Sequence, residues 1–203
     1  SLVESLFTWA AFPGFELEVA FAFDRVTAVM CLVVTGVGTL VHLYSAGYMA
    51  HDKGFARYFA YLNLFLFFML LLVLGKNLPL LFAGWEGVGF VSYLLIGFWF
   101  EDREKTAASL KAFVVNRVGD VGFVLAMLLI FIVAGTFDFA GINDFFSATP
   151  PPPAVVTAIA LLLLVGACGK SALLSSGSKR VSDGTAALAH LARLCAMHIS
   201  AHS

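Results

Sequence analysis

Five long apolar runs, at about 22–46, 58–74, 78–100, 108–134 and 154–172, constrain this chain more than any other feature. Runs of around twenty apolar residues are long enough to cross the hydrocarbon core of a bilayer. In lipid an open strand leaves backbone donors and acceptors unpaired, so each run is expected to be a helix. No series of short alternating segments suggests a closed barrel. Composition agrees: 61% of residues are hydrophobic and 12% charged, and 12 basic plus 13 acidic residues are too few to clothe a water-soluble surface. The expected fold class is an all-α integral membrane bundle of about five transmembrane helices.

Charge distribution orients the bundle and excludes other classes. Lys53 and Arg57 lie in the connection 50–57, and Arg103 and Lys105 in the connection 101–107, with Lys111 just beyond. The opposite connections carry Lys76 alone, and no basic residue between Gly135 and Pro153. By the positive-inside rule the first two connections face the cytoplasm or its organellar equivalent. A net charge of −1, with basic residues scattered, offers no Lys/Arg face for nucleic acid. Cys31, Cys168 and Cys195 show no metal spacing and read as buried free thiols.

Outside the runs, residues 1–21 read as an extramembrane lead-in, residues 22–172 as the transmembrane domain and 173–203 as an atypical tail. The front lacks a basic start and short apolar run, so it is no signal peptide and suggests a truncated chain. The connection 135–153, with Asp138, Asp144 and prolines 150–153, reads as a surface loop on an extended path.

Ionisable residues inside the spans are the candidates for function, because a charge at a helix centre costs roughly 2.5–3.5 kcal/mol even on the lenient insertion scale. Glu86 sits among glycines in Gly84-Trp85-Glu86-Gly87-Val88-Gly89, where close helix approach turns it toward protein or water; packing alone is the other reading. Arg117 and Asp120, three apart on one face, can neutralise each other as a local ion pair. Lys170 ends an apolar run, either as a buried functional lysine or as one snorkelling to the interface. Its Gly-Lys-Ser context lacks the spacing of a phosphate loop. His42, near Tyr44 and Ser45, is a minor candidate for a polar proton file.

The stretches His42-Leu43-Tyr44-Ser45-Ala46-Gly47-Tyr48-Met49, Arg57 to Phe65, Gly84 to Gly89 and Ser92 to Trp99 resemble the largest antiporter-like membrane subunit of complex I, the proton-pumping NADH:quinone oxidoreductase. Asn116-Arg117-Val118-Gly119-Asp120 and Gly169-Lys170-Ser171-Ala172 extend the resemblance over about 20–172. It implies an antiporter-like bundle in a bacterial or organellar inner membrane, in which Glu86 and Lys170 pair at the centre of a proton half-channel. Arg117 and Asp120 are then implied in charge communication with neighbouring subunits. Protons, lipid and the other membrane-arm subunits, especially adjacent antiporter-like ones, are the implied partners. The resemblance also implies that NADH, FMN, iron–sulfur clusters and quinone are bound by other subunits. Accordingly, this chain shows neither a dinucleotide glycine fingerprint nor a cysteine set for clusters.

The related large subunit of multi-subunit sodium/proton antiporters, and a fragment that only packs against other subunits, are the alternative readings. After Ala172 the family's proline-broken helix does not follow, and a frameshift or misassembled gene end would account for the tail. His190, His198 and His202 then form no metal site, having no nearby carboxylate or cysteine partners.

Overall fold

The computed structural model describes residues 2–12 and 15–175. Its elements are β1 (Leu2–Phe12), β2 (Phe15–Phe23), α1 (Arg25–Tyr48), α2 (Phe55–Leu74), α3 (Leu78–Ile96), α4 (Arg103–Ala134), α5 (Phe139–Ala148) and α6 (Pro153–Ser175). Five of the helices are long and apolar enough to cross a membrane, and the chain is an all-α transmembrane bundle with a small hairpin in front of it. The tail beyond 175, with its histidines, lies outside the described residues.

Helix ends follow local chemistry more than hydropathy. Asp24 caps α1 by accepting from Thr27 N at 2.7 Å, and Asn77 caps α3 by accepting from Leu80 N at 2.9 Å. Pro79 in the first turn of α3 loses no helical bond. Asp102 accepts from Glu104 N at 3.0 Å, so α4 starts at Arg103, five residues before its apolar run. With 32 residues α4 is about 48 Å long, beyond the hydrocarbon core, which explains why its first turns carry charge. It stops at Gly135, whose φ of 70° suits a residue without Cβ.

Two segments differ from expectation. Most of the lead-in expected over 1–21 forms an antiparallel hairpin with two register irregularities, which runs on to Phe23, so that the first helix begins at Arg25 rather than near 22. The hairpin is tied to the bundle by Lys76 N donating to Ala20 O at 3.1 Å and Asn77 Nδ2 donating to Glu18 O at 2.7 Å. The loop 135–153 contains α5, because Ile142 and Phe146, four apart, turn the same face onto the core. Only after Thr149 do the prolines forbid further helix.

The two ends of the bundle are built differently. At the basic end, Trp99 Nε1 donates to Asp52 Oδ2 at 3.0 Å and Arg57 Nη2 to Phe98 O at 3.2 Å, joining the α1–α2 and α3–α4 connections. At the other end, Leu78 N donates to Phe137 O at 3.0 Å, and Lys76 pairs with Asp138 at 3.7 Å.

Packing between the spans depends on small residues, as it must where lipid is as apolar as the side chains. Gly84 sits against the backbone of Leu72, so α2 and α3 touch closely. α4 and α6 form the most extensive helix pair, with Gly119 facing Gly169 so tightly that a Cβ on Gly119 would stand 2.8 Å from Gly169 Cα. Cys31 and Cys168 are free, as expected, but Cys31 is only half-buried against the core and Cys168 is exposed on α6, while Cys195 lies outside the described residues.

Candidate functional site

The close approach of α6 to α4, with α3 alongside, brings the ionisable residues of three helices together. Lys170, 7% exposed, points inward between the helices and donates to the main-chain oxygen of Trp85 at 2.7 Å. Its Nζ also lies 4.8 Å from the centre of the Trp85 ring, on whose face a cation is attracted. This placement is not that of a lysine snorkelling to the interface.

Trp85 is the hub of the site, a role that its place in the sequence did not suggest. Its indole N–H donates to Asp120 Oδ1 at 2.6 Å, so one residue holds the lysine by its carbonyl and the aspartate by its side chain. The ring is fixed by stacking on Phe123, with centroids 5.4 Å apart. Asp120 itself has a side chain only 5% exposed.

Arg117 stands between two carboxylates. Its Nη1 makes an ion pair with Glu86 and lies 3.9 Å from Asp120 Oδ2. The guanidinium also sits over the Phe113 ring, 4.5 Å from its centre. The expected direct pair of Glu86 with Lys170 is therefore corrected: Glu86 pairs with Arg117, and Lys170 makes no ion pair within 4.0 Å among the described residues. The reason is register. Glu86 follows Trp85 by about 100° around α3, so with the Trp85 side chain turned to Lys170 the Glu86 side chain leaves the helix in another direction, where it meets Arg117 of α4.

The four anticipated residues thus share one cluster, Glu86–Arg117–Asp120–Trp85–Lys170. His42 stands apart on α1: its Nδ1 contacts Gly38 O at 2.7 Å, its ring lies tilted against Phe59, and its buried Nε2 has no hydrogen-bond partner among the described residues. No group of three or more metal-ligating side chains occurs among the described residues.

Residues 9–59 match the family model of complex I (NADH-ubiquinone oxidoreductase) chain 5 N-terminus, and residues 75–175 that of the NADH:quinone oxidoreductase/Mrp antiporter transmembrane region. NADH-quinone oxidoreductase subunit L of Mycobacterium tuberculosis is 48% identical over 170 residues, covering 83% of this chain and 26% of the relative. NADH-ubiquinone oxidoreductase chain 5 of Metridium senile is 52% identical over 152 residues, covering 75% and 25%. Among solved structures, the Mrp complex from Dietzia superposes with a TM-score of 0.78 at 26% identity, covering 94% of this chain and 22% of that one. The chain spans about a quarter of the length of these relatives. By these matches and its fold, the chain belongs to the family of antiporter-like membrane proteins that includes NADH:quinone oxidoreductase chain 5 and subunit L.

Proposed function

We propose that the chain carries part of a proton pathway in an energy-transducing inner membrane, within an NADH:quinone oxidoreductase whose other subunits oxidise NADH and reduce quinone. The observation that carries this reading is the buried Lys170, linked through Trp85 to Asp120 and flanked by the Arg117–Glu86 pair. A buried ammonium needs a counter-charge, and the one that shares Trp85 with it is Asp120. Arg117 sits where it can serve either Glu86 or Asp120. If it moves toward Asp120, that carboxylate is neutralised and Lys170 loses electrostatic support for its proton; if it returns to Glu86, Lys170 takes up a proton again. Hydration alternating between the two sides would give the step its direction. The basic end of the bundle, with Lys53, Arg57, Arg103 and Lys105, is placed on the negative side.

The partners in this reading are the other membrane-arm subunits, especially adjacent antiporter-like ones, reached through Glu86 and Arg117. Both remain partly exposed, at 23% and 37% of their side chains. The test is Glu86→Gln and Lys170→Ala in the assembled complex, measuring protons moved per NADH oxidised. Unaltered pumping in Lys170→Ala would refute the reading and leave the cluster as packing alone, and unaltered pumping in Glu86→Gln would remove Glu86 from the pathway.

A sodium/proton antiporter subunit is the second reading, favoured by the structural likeness to an Mrp complex. Sequence identity near 50% to oxidoreductase subunits, against 26% to the Mrp chain, supports the first. Co-purification with NADH-oxidising activity separates the two.

A further inference from the structure

Asn116 lies on α4 one turn before Asp120, on the same helix face. It is 1% exposed, and among the described residues neither its amide nitrogen nor its amide oxygen has a hydrogen-bond partner. Such an orphaned buried carboxamide is uncommon and asks for a reason. Opposite it, Gly89 on α3 opens a gap: a Cβ there would meet Lys170 Nζ at 2.8 Å and Asn116 Nδ2 closer still. The amide and the lysine nitrogen therefore border the same gap.

Among the described residues Lys170 makes one hydrogen bond, to the Trp85 carbonyl. An ammonium has further donors to satisfy, whereas a neutral amine offers a lone pair that needs a donor. A carboxamide supplies both, an acceptor at one end and a donor at the other, and exchanges them by a half-turn of its terminal torsion. Charged side chains on the elements packed against Lys170 are Glu86 on α3 and, on α4, Arg117 and Asp120 at the site, Lys111 more than one turn before Arg117, and Arg103, Glu104 and Lys105 at the helix start; α6 carries no other. All of them are ionic, and only the amide is indifferent to the lysine's charge.

We propose that Asn116 is a positioning residue that holds Lys170 in both of its protonation states. In this proposal its amide oxygen faces the ammonium, and after the half-turn its N–H faces the lone pair of the neutral amine; the structure has its Nδ2 on the gap that Lys170 Nζ borders. The proton leaves Lys170 Nζ to water entering the pathway on one side and returns from water on the other, and the carboxamide neither gains nor loses one. This inference rests on the proton-pathway reading above.

The experiment is the pH profile of NADH-driven proton pumping in the full-length subunit assembled in its complex, with Asn116→Asp, Asn116→Leu, Asn116→Ser and Lys170→Ala. A fixed carboxylate favours the ammonium, so Asn116→Asp is expected to move the alkaline fall of pumping up by about one pH unit. Asn116→Leu solvates neither state, and burial alone then favours the neutral amine, so its profile moves the other way. Asn116→Ser, whose hydroxyl both donates and accepts, keeps the parental position even if its amplitude drops. Equal losses at every pH in the Asp and Leu variants, or a Ser profile displaced as far as that of Leu, overturn the inference while Lys170→Ala remains inactive. Normal pumping by Lys170→Ala overturns the proton-pathway reading itself, and this inference with it.

Discussion

Replacing Trp85 by phenylalanine deletes the one donor that reaches Asp120 Oδ1 while keeping an aromatic ring that can stack on Phe123. A hydrogen bond to an ionised group contributes about 1.5–3 kcal/mol. Among the described residues no other donor stands within hydrogen-bond distance of that carboxylate while Arg117 is paired with Glu86, its Nη1 being 3.9 Å from the other carboxylate oxygen. The lost ring volume adds a packing cost of its own, so the single variant does not isolate the bond. A cycle with Asp120→Ala does: where the acceptor is already gone, Trp85→Phe should lose only packing. The expected coupling is roughly 1.5–3 kcal/mol, about ten- to a hundredfold in the folding equilibrium. Unfolding of the four proteins in mixed micelles by increasing denaturing detergent measures it. A coupling below about 0.5 kcal/mol, the usual scatter for independent sites, would refute the assignment of Trp85 as the hub.

Gly119→Ala should separate α4 from α6 and destabilise by about 1–3 kcal/mol, because its Cβ would meet Gly169 backbone at 2.8 Å. Gly36→Ala on α1, where nothing lies within 4 Å, should instead gain up to about 1 kcal/mol of helix propensity. The same unfolding assay checks both, and equal effects would contradict the packing described. At the basic end, the Gly54 N–H and then the Trp99 indole hold the Asp52 carboxyl below its ordinary range. A depressed value means that this contribution is full above the unfolded value near pH 4 and is lost as pH falls through the folded one. Trp99→Phe should therefore let limited proteolysis of the 49–54 connection begin at a higher pH than in the parent, and identical acid profiles would refute the link.

Asp24, Asn77 and Asp102 show how far local chemistry reaches. Each is a short acidic or amide side chain before an apolar run, and each caps the helix that follows. Other local signals were present but weaker. Pro13-Gly14 is a turn dipeptide between runs that alternate in part, as in Phe15-Glu16-Leu17-Glu18-Val19, yet the irregular register of the hairpin blurs the period of two. Ile142 and Phe146 announce α5 only to a reader who discounts the prolines that follow.

The length and hydropathy of the spans, and the residue types placed within them, were decided by the sequence alone, because bilayer thickness and backbone satisfaction leave a helix as the one solution for each run. Which charge meets which was decided by tertiary structure. Glu86 and Lys170 are 84 positions apart, and nothing local states that the carboxylate will find Arg117 while the ammonium finds the Trp85 carbonyl. That choice depends on the rotation and approach of three helices, set by contacts such as Gly119 on Gly169 and Gly89 beneath Lys170. A shift of one residue in any of these helices, about 100° of rotation, would have given different partners.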